Sequence, residues 1–293
     1  MCAGASAAGA RALCCMKHVG LNVAADPLFT LSYTGVSGGL VVVVADDPGM
    51  NSSQNEQDSR WYARAALLPM LEPADSEECR AFVKEAFQLS ERFDAPFLVR
   101  TTTAIAHARS MVSLEPRAEI PLPPYKKDVA KNVMMPAMAR GRHLVVEARS
   151  RALADWADET PLNRVEMRSE KIGVVCSGVV YQYVREALPE ASVLKLGVVN
   201  PLPKKLIEDF AAKVEKLYVI ESLEPIFEEQ IAAWGVPIAG GKVLTGVQGD
   251  LSVRRIQAAL GLDVPEARPE EKLPGRPPVM CSGCPHRGPF YVL

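Results

Sequence analysis

Residues Gly39–Arg60 read GLVVVVADDPGMNSSQNEQDSR. The run LVVVVA is a β-branched strand, with glycines ahead of it and the turn former DDPG behind it. A long polar stretch follows. In parallel α/β sheets, ligands bind beyond the carboxyl ends of the strands. Asp46, Asp47, Ser52, Ser53, Gln54, Asn55, Gln57 and Asp58 therefore stand where a site would lie. The same composition also suits a solvated loop of turn formers, and the residues alone leave both readings open.

On either side the chain alternates strand and helix. Leu13–Met16 reads as a short buried strand after the turn AGAR. Between Ser76 and Phe93 the apolar residues Cys79, Phe82, Val83, Ala86, Leu89 and Phe93 recur at helical spacing, with Asp75 or Ser76 as N-cap and Pro96 beyond the stop. PFLVRTTT is a further strand. This alternation implies a parallel sheet with helices on its faces, an α/β fold.

Prolines crowd between Ser113 and Lys131, as in an extended strap. A helix then carries Val145, Ala148, Ala152 and Trp156 on one side. A second alternating unit begins at KIGVVCSGVVYQYVREAL, a strand that turns through Ser177-Gly178 into a helix. SVLKLG and KLYVIE are its later strands, and the helix between them aligns Leu206, Phe210 and Val214. The expected divisions are 1–111, an incomplete parallel-sheet domain; 112–168, strap and helix; 169–264, a compact βαβ domain; and 265–293, a Pro-rich linker leading into a new domain.

Bulk properties narrow the function classes. The 293 residues are 48% hydrophobic and 23% charged, values of a globular chain with a substantial core. Net charge is -2, with Lys and Arg scattered among Asp and Glu; without a basic stripe, nucleic acid is not an expected partner. No segment approaches the ~20 apolar residues of a membrane helix, and the first residues lack the pattern of a signal peptide. Seven cysteines without such a signal point to a reducing cytoplasm.

The chain closes on PVMCSGCPHRGPFYVL. Cys281 and Cys284 are half of a tetrahedral thiolate site, with only nine residues after them. The spacing fits metal ligands awaiting partners, and it fits unligated thiols at a turn. GVVCSG lacks the full G-x-G-x-x-G fingerprint, and neither G-x-S-x-G nor H-E-x-x-H occurs. His18 could act as a base or hydrogen-bond donor, or serve as a structural histidine. A small CxxC metal or electron-transfer protein and a non-catalytic scaffold subunit are the alternatives from other classes.

Resemblance goes further. Gly4–Pro73, most of all MKHVGLNVAADPL and VVVVADDPG followed by SSQNEQDSR, is similar to the pyrimidine-side domain of alpha subunits in the indolepyruvate branch of the thiamine diphosphate-dependent 2-oxoacid:ferredoxin oxidoreductases. TPLNRVE and VLKLGVVNPLPKKLIEDF resemble the next domain of that family, which is like the C-terminal domain of transketolase. PVMCSGCPHRGPFY resembles the opening of the thiamine diphosphate domain. The fold so implied is an incomplete pyrimidine-type parallel-sheet domain followed by a transketolase C-terminal-like α/β domain.

The resemblance also implies a longer subunit, of which this chain is a middle fragment, inactive by itself. The expected reaction is oxidative decarboxylation of an arylpyruvate such as indole-3-pyruvate, with coenzyme A and ferredoxin as acceptors and a beta subunit as partner. Thiamine diphosphate with Mg²⁺ and [4Fe-4S] clusters would serve the intact subunit, with none stably held here. By position, Lys17 and His18 become catalytic candidates. Asn22, Asp47, Ser53, Gln54 and Gln57 become cofactor-binding candidates, and Cys281 and Cys284 cluster ligands. The CPHR that begins at Cys284 departs from sibling enzymes, which carry glycine after the second cysteine.

Overall fold

A computed structural model describes residues 1–117, 119–122, 124–264, 284 and 286–293. It divides into a large unit, Met1–Leu262, and a small one, Asp263–Leu293.

The large unit contains two sheets. The first has the order β1 (Ala12–Lys17), β2 (Leu40–Asp46), β4 (Phe97–Thr102), β3 (Met70–Leu71), β8 (Val198–Asn200). Its first four members run parallel, and β8 joins β3 antiparallel. The second has the order β5 (Arg164–Glu166), β7 (Ser192–Leu196), β6 (Ile172–Ser177), β9 (Lys216–Val219), with β5 alone antiparallel. Chain order and sheet membership do not coincide: β5 comes from the stretch read as strap and helix, while β8, which directly follows β7 of the second sheet, finishes the first.

The valine run explains itself in β2. Val42 and Val44 face Leu21, Leu28 and Leu98 in a cluster that continues into the second sheet through Val175, Leu194 and Phe227. Val41 faces Phe82, Ala86 and Leu89 of the helix Ser76–Phe93. A parallel strand covered on both sides needs apolar residues at every position, not at alternate ones. The Ser76–Phe93 helix begins as its sequence demands, with the Asp75 carboxylate accepting from the Glu78 N–H at 2.9 Å, a cap worth ~1 kcal/mol.

Three local expectations are corrected. Strand β1 lies at the sheet edge, so Leu13 is 45% exposed and Cys15 is exposed too, and the strand is not buried throughout. The helix Pro136–Glu159 buries Val146, Arg149, Leu153 and Ala157, one position on from the expected face. Arg149 sets that rotation: its guanidinium donates to Asp94 O at 2.8 Å and Ser32 O at 2.6 Å, carbonyls at the ends of two other helices. Helix C-termini favour a cation, and apolar periodicity cannot register a buried arginine. Finally, the helix Lys204–Ala211 buries Ile207 and Phe210, leaving Val214 beyond its end.

In the strap, Glu115 pairs with Arg80 and Lys84 on the outer face of the Ser76–Phe93 helix. In the small unit, the helix Arg287–Val292 follows His286, whose Nδ1 lies 3.4 Å from Cys284 Sγ.

Candidate functional site at the carboxyl edge of the first sheet

Strand register sets out this edge. Lys17 pairs with Ala45, Val44 with Arg100, and Asp46 with Thr102. Paired positions in neighbouring strands share a face, so Arg100, Asp46 and Thr102 lie on one side of the sheet. Lys17, Asp47 and Thr103 belong to the other.

On the Lys17 side the polar groups are fully engaged. Lys17 Nζ donates to Ser52 O at 3.0 Å and Ser52 Oγ at 3.1 Å, and lies 3.5 Å from Asp47 Oδ2. Asp47 accepts from Ser53 Oγ at 2.6 Å, Thr103 Oγ1 at 2.7 Å, Ser52 N at 2.9 Å and Asn51 N at 3.2 Å. Burial alone would raise its carboxyl pKa; the hydrogen bonds from Ser53, Thr103, Ser52 and Asn51 outweigh burial and hold it well below the usual carboxylate range. Asp47 thus folds the loop. Among the expected site residues the structure brings Lys17, Asp47 and Ser53 together. The other expected cofactor-binding residues stand apart: Asn22 Oδ1 accepts from Tyr62 OH at 2.6 Å, Gln57 Nε2 donates to Asn55 Oδ1 at 2.9 Å, and Gln54 is exposed.

The opposite side differs. His18 opens the helix His18–Val23, is 1% exposed, and has no hydrogen-bond partner at either ring nitrogen. Arg100 Nη2 and Thr102 Oγ1 are unpartnered as well. Together they are four of the five such buried side-chain atoms among the described residues; the fifth is Arg149 Nε. Buried polar groups normally find partners, so this concentration at one strand edge marks a place built to meet something.

Beneath it runs a buried charge network that sequence reasoning missed. Arg100 Nε donates to Asp46 Oδ2 at 2.6 Å and Nη1 to Glu72 Oε1 at 2.5 Å. Arg60 donates to Asp58 Oδ2 and Glu221 Oε2, both at 2.6 Å, and to Ser222 O at 2.7 Å. Glu72 also accepts from Ser177 Oγ at 2.8 Å, and Glu221 from Phe227 N at 3.0 Å. Burial raises the carboxyl pKa values of Asp46 and Glu221. At Asp58 burial is outweighed by Arg60 and Arg100, and its carboxyl pKa falls to about 2. One signal was available: Arg100 directly follows the apolar run FLV inside a strand, where a buried charge requires a buried partner.

The other expected ligand pair is only partly in view. Cys281 lies outside the described residues, while Cys284 is described. Among the described residues no group of three His, Cys, Asp or Glu side chains is placed to hold a metal ion.

Comparison with known proteins adds the wider context. The family model described as pyruvate flavodoxin/ferredoxin oxidoreductase, thiamine diP-binding, matches residues 1–168. A protein of Archaeoglobus fulgidus named indolepyruvate oxidoreductase subunit IorA is 37% identical over 99% of this chain and 50% of its own length. The protein of the same name from Methanothermobacter thermautotrophicus is 39% identical with the same two coverages, 99% and 50%. The chain thus spans about half the length of these curated relatives. Among solved structures, the 2-oxoglutarate:ferredoxin oxidoreductase of Magnetococcus marinus superposes with TM-score 0.69 at 16% identity, over 89% of this chain and 54% of that one. A split-gene transketolase, described as an inactive beta4 tetramer, gives 0.53 at 16% identity over 89% and 78%. At that identity the two structures show the fold: a pyrimidine-type α/β domain followed by one like the C-terminal domain of transketolase.

Proposed function

This chain belongs to the pyruvate flavodoxin/ferredoxin oxidoreductase family, and from that membership we propose that it is part of an enzyme that oxidatively decarboxylates arylpyruvates, indole-3-pyruvate among them, to the corresponding aryl-acetyl-CoA. Ferredoxin takes the electrons, coenzyme A the acyl group, and a beta subunit completes the assembly in the cytoplasm. The supporting observation is 37% and 39% identity, in alignments that cover 99% of the chain, to proteins named for indolepyruvate.

Thiamine diphosphate with Mg²⁺ and [4Fe-4S] clusters belong to the intact subunit in this reading. The edge holding His18, Arg100 and Thr102 fits the reacting end of such a cofactor, because its buried polar atoms have no protein partner. When bound, thiamine diphosphate supplies the carbanion that adds to a 2-oxo carbonyl. The chain's own part is placement. His18 holds or donates a proton at a ring nitrogen, and Lys17 offsets the charge of the substrate carboxylate. Asp47 and Ser53 keep the loop in shape, while Asn22, Gln54 and Gln57 offer further polar contacts. Cys281 and Cys284 serve as cluster ligands in the intact subunit.

The test is ferredoxin reduction dependent on indole-3-pyruvate and coenzyme A by the full-length subunit with its partner. An enzyme that reduces ferredoxin with no 2-oxo acid overturns the proposal. The 293-residue chain alone is expected neither to turn over 2-oxo acids nor to bind thiamine diphosphate with sub-micromolar affinity in calorimetry.

A further inference from the structure

We propose that His18, Thr102 and the free Nη2 of Arg100 form one hydrogen-bonding group for the uncharged carbonyl oxygen of the 2-oxo acid, and that its carboxylate binds elsewhere. This holds only if the 2-oxo acid reading above holds.

The placement comes from register. Thr102 pairs with Asp46, and Asp46 receives Arg100 Nε at 2.6 Å on the same face. His18 opens the helix that directly follows Lys17, the last residue of β1, which pairs with Ala45 beside Asp46. All three side chains are buried, at 1%, 1% and 3% exposure for His18, Arg100 and Thr102, and all three carry an unpartnered polar atom. Two come from a central strand and one from a helix start, rigid supports suited to precise positioning.

The chemistry narrows the ligand. A guanidinium N–H can only donate, so the ligand must accept. The threonine hydroxyl and an imidazole N–H can donate to the same atom. Charge then separates a carbonyl from a carboxylate. The single positive charge of Arg100 already meets Asp46 and Glu72, and that of Arg60 meets Asp58 and Glu221. Each guanidinium thus already lies between two carboxyl groups, which weakens its pull on another anion. A carbonyl oxygen accepts hydrogen bonds without bringing charge. It also becomes more negative when its carbon is attacked, where fixed buried donors act most strongly.

Thr102→Val in the full-length subunit with its partner tests the proposal, since it removes one hydroxyl that has no protein partner. We expect kcat for indole-3-pyruvate to fall about 100-fold with KM within about twofold of wild type, and Thr102→Ser to restore it. His18→Phe, which keeps an aromatic ring and removes both nitrogens, should show the same fall. A second readout does not need turnover: the infrared band of a [2-¹³C] 2-oxo acid bound before cofactor is added. Hydrogen bonding lowers that carbonyl stretch in wild type and Thr102→Ser, and Thr102→Val should return it towards the free position. An unchanged kcat or an unmoved band overturns the proposal, leaving the group to internal water. A rise in KM alone also overturns it, because it assigns the group to the carboxylate. If wild-type enzyme consumes 2-oxo acids while Thr102→Val matches it, only this inference fails; if wild type consumes none, the functional reading fails with it.

Discussion

Both sheets carry polar residues at or just beyond the carboxyl ends of several parallel strands, yet the two carboxyl edges use them differently. At the second sheet, Ser177 at the end of β6 donates to Glu72, and Glu221 after β9 accepts from Arg60 and from Phe227 N. Gly178, at φ 54, allows this approach, since a Cβ there would stand 2.6 Å from Glu72 Oε1. That edge is used up in joining the first sheet. At the first sheet, Lys17, Asp47 and Ser53 are likewise engaged, but His18, Thr102 and Arg100 Nη2 are not. Topology supplies an edge for a ligand at the end of every parallel sheet; it becomes a candidate site only where polar groups lack protein partners.

Arg60→Met is the strongest way to break that contrast. It leaves Asp58 and Glu221 buried without their cation and should cost about 3–5 kcal/mol in urea unfolding. Combining it with Asp58→Asn and Glu221→Gln should recover much of the loss, because the unpaired charges disappear together. A cost near zero for Arg60→Met alone would show that the second edge is not held by this network. Next in size, Gly178→Ala sets a Cβ against Glu72 at a positive φ and should cost about 1–3 kcal/mol, read as a lower thermal midpoint. An unshifted midpoint would mean that Glu72 yields freely.

A smaller effect separates the engaged side of the first edge from the unpartnered one. The Asp47 carboxyl is depressed in the folded state, so its contribution is present above the ordinary aspartate pKa near ~3.8 and is lost as pH falls below it. Asp47→Asn should flatten the fall of stability in that acid range, measured by denaturation at a series of pH values; an identical slope would remove Asp47 as the loop's anchor. Smallest of all, Thr102→Val should change stability by no more than about 0.5 kcal/mol. A loss well above that would reveal a protein partner for the hydroxyl and would merge the two sides of the edge.

Much of the architecture was legible before any coordinates. LVVVVA, FLVRTT and the 76–93 periodicity each specify an element locally, through β-branching, apolar spacing and an aspartate cap, and all three stand where expected. The candidate site was half legible. The polar loop and His18 were singled out by their place after strands, whereas Arg60, Glu72, Arg100 and Glu221 were not, since most of their partners lie 28 to 164 residues away, Asp58 beside Arg60 and Phe227 N near Glu221 being the local exceptions. The helix Pro136–Glu159 shows the same limit, its buried face turned by one residue to bring Arg149 onto two distant carbonyls.

By itself, the sequence determined where most strands and helices form, that the sheets are built mainly of parallel strands, and that a polar loop follows the strand 40–46. Those features depend on neighbours within a few turns or a few strand positions. Only the tertiary structure decided which polar residues are spent on structure and which are left unpartnered. A buried carboxylate or guanidinium is settled by whatever the fold places within about 3 Å of it, and for Arg100, and for Arg60 apart from its neighbour Asp58, those atoms come from remote segments of the chain.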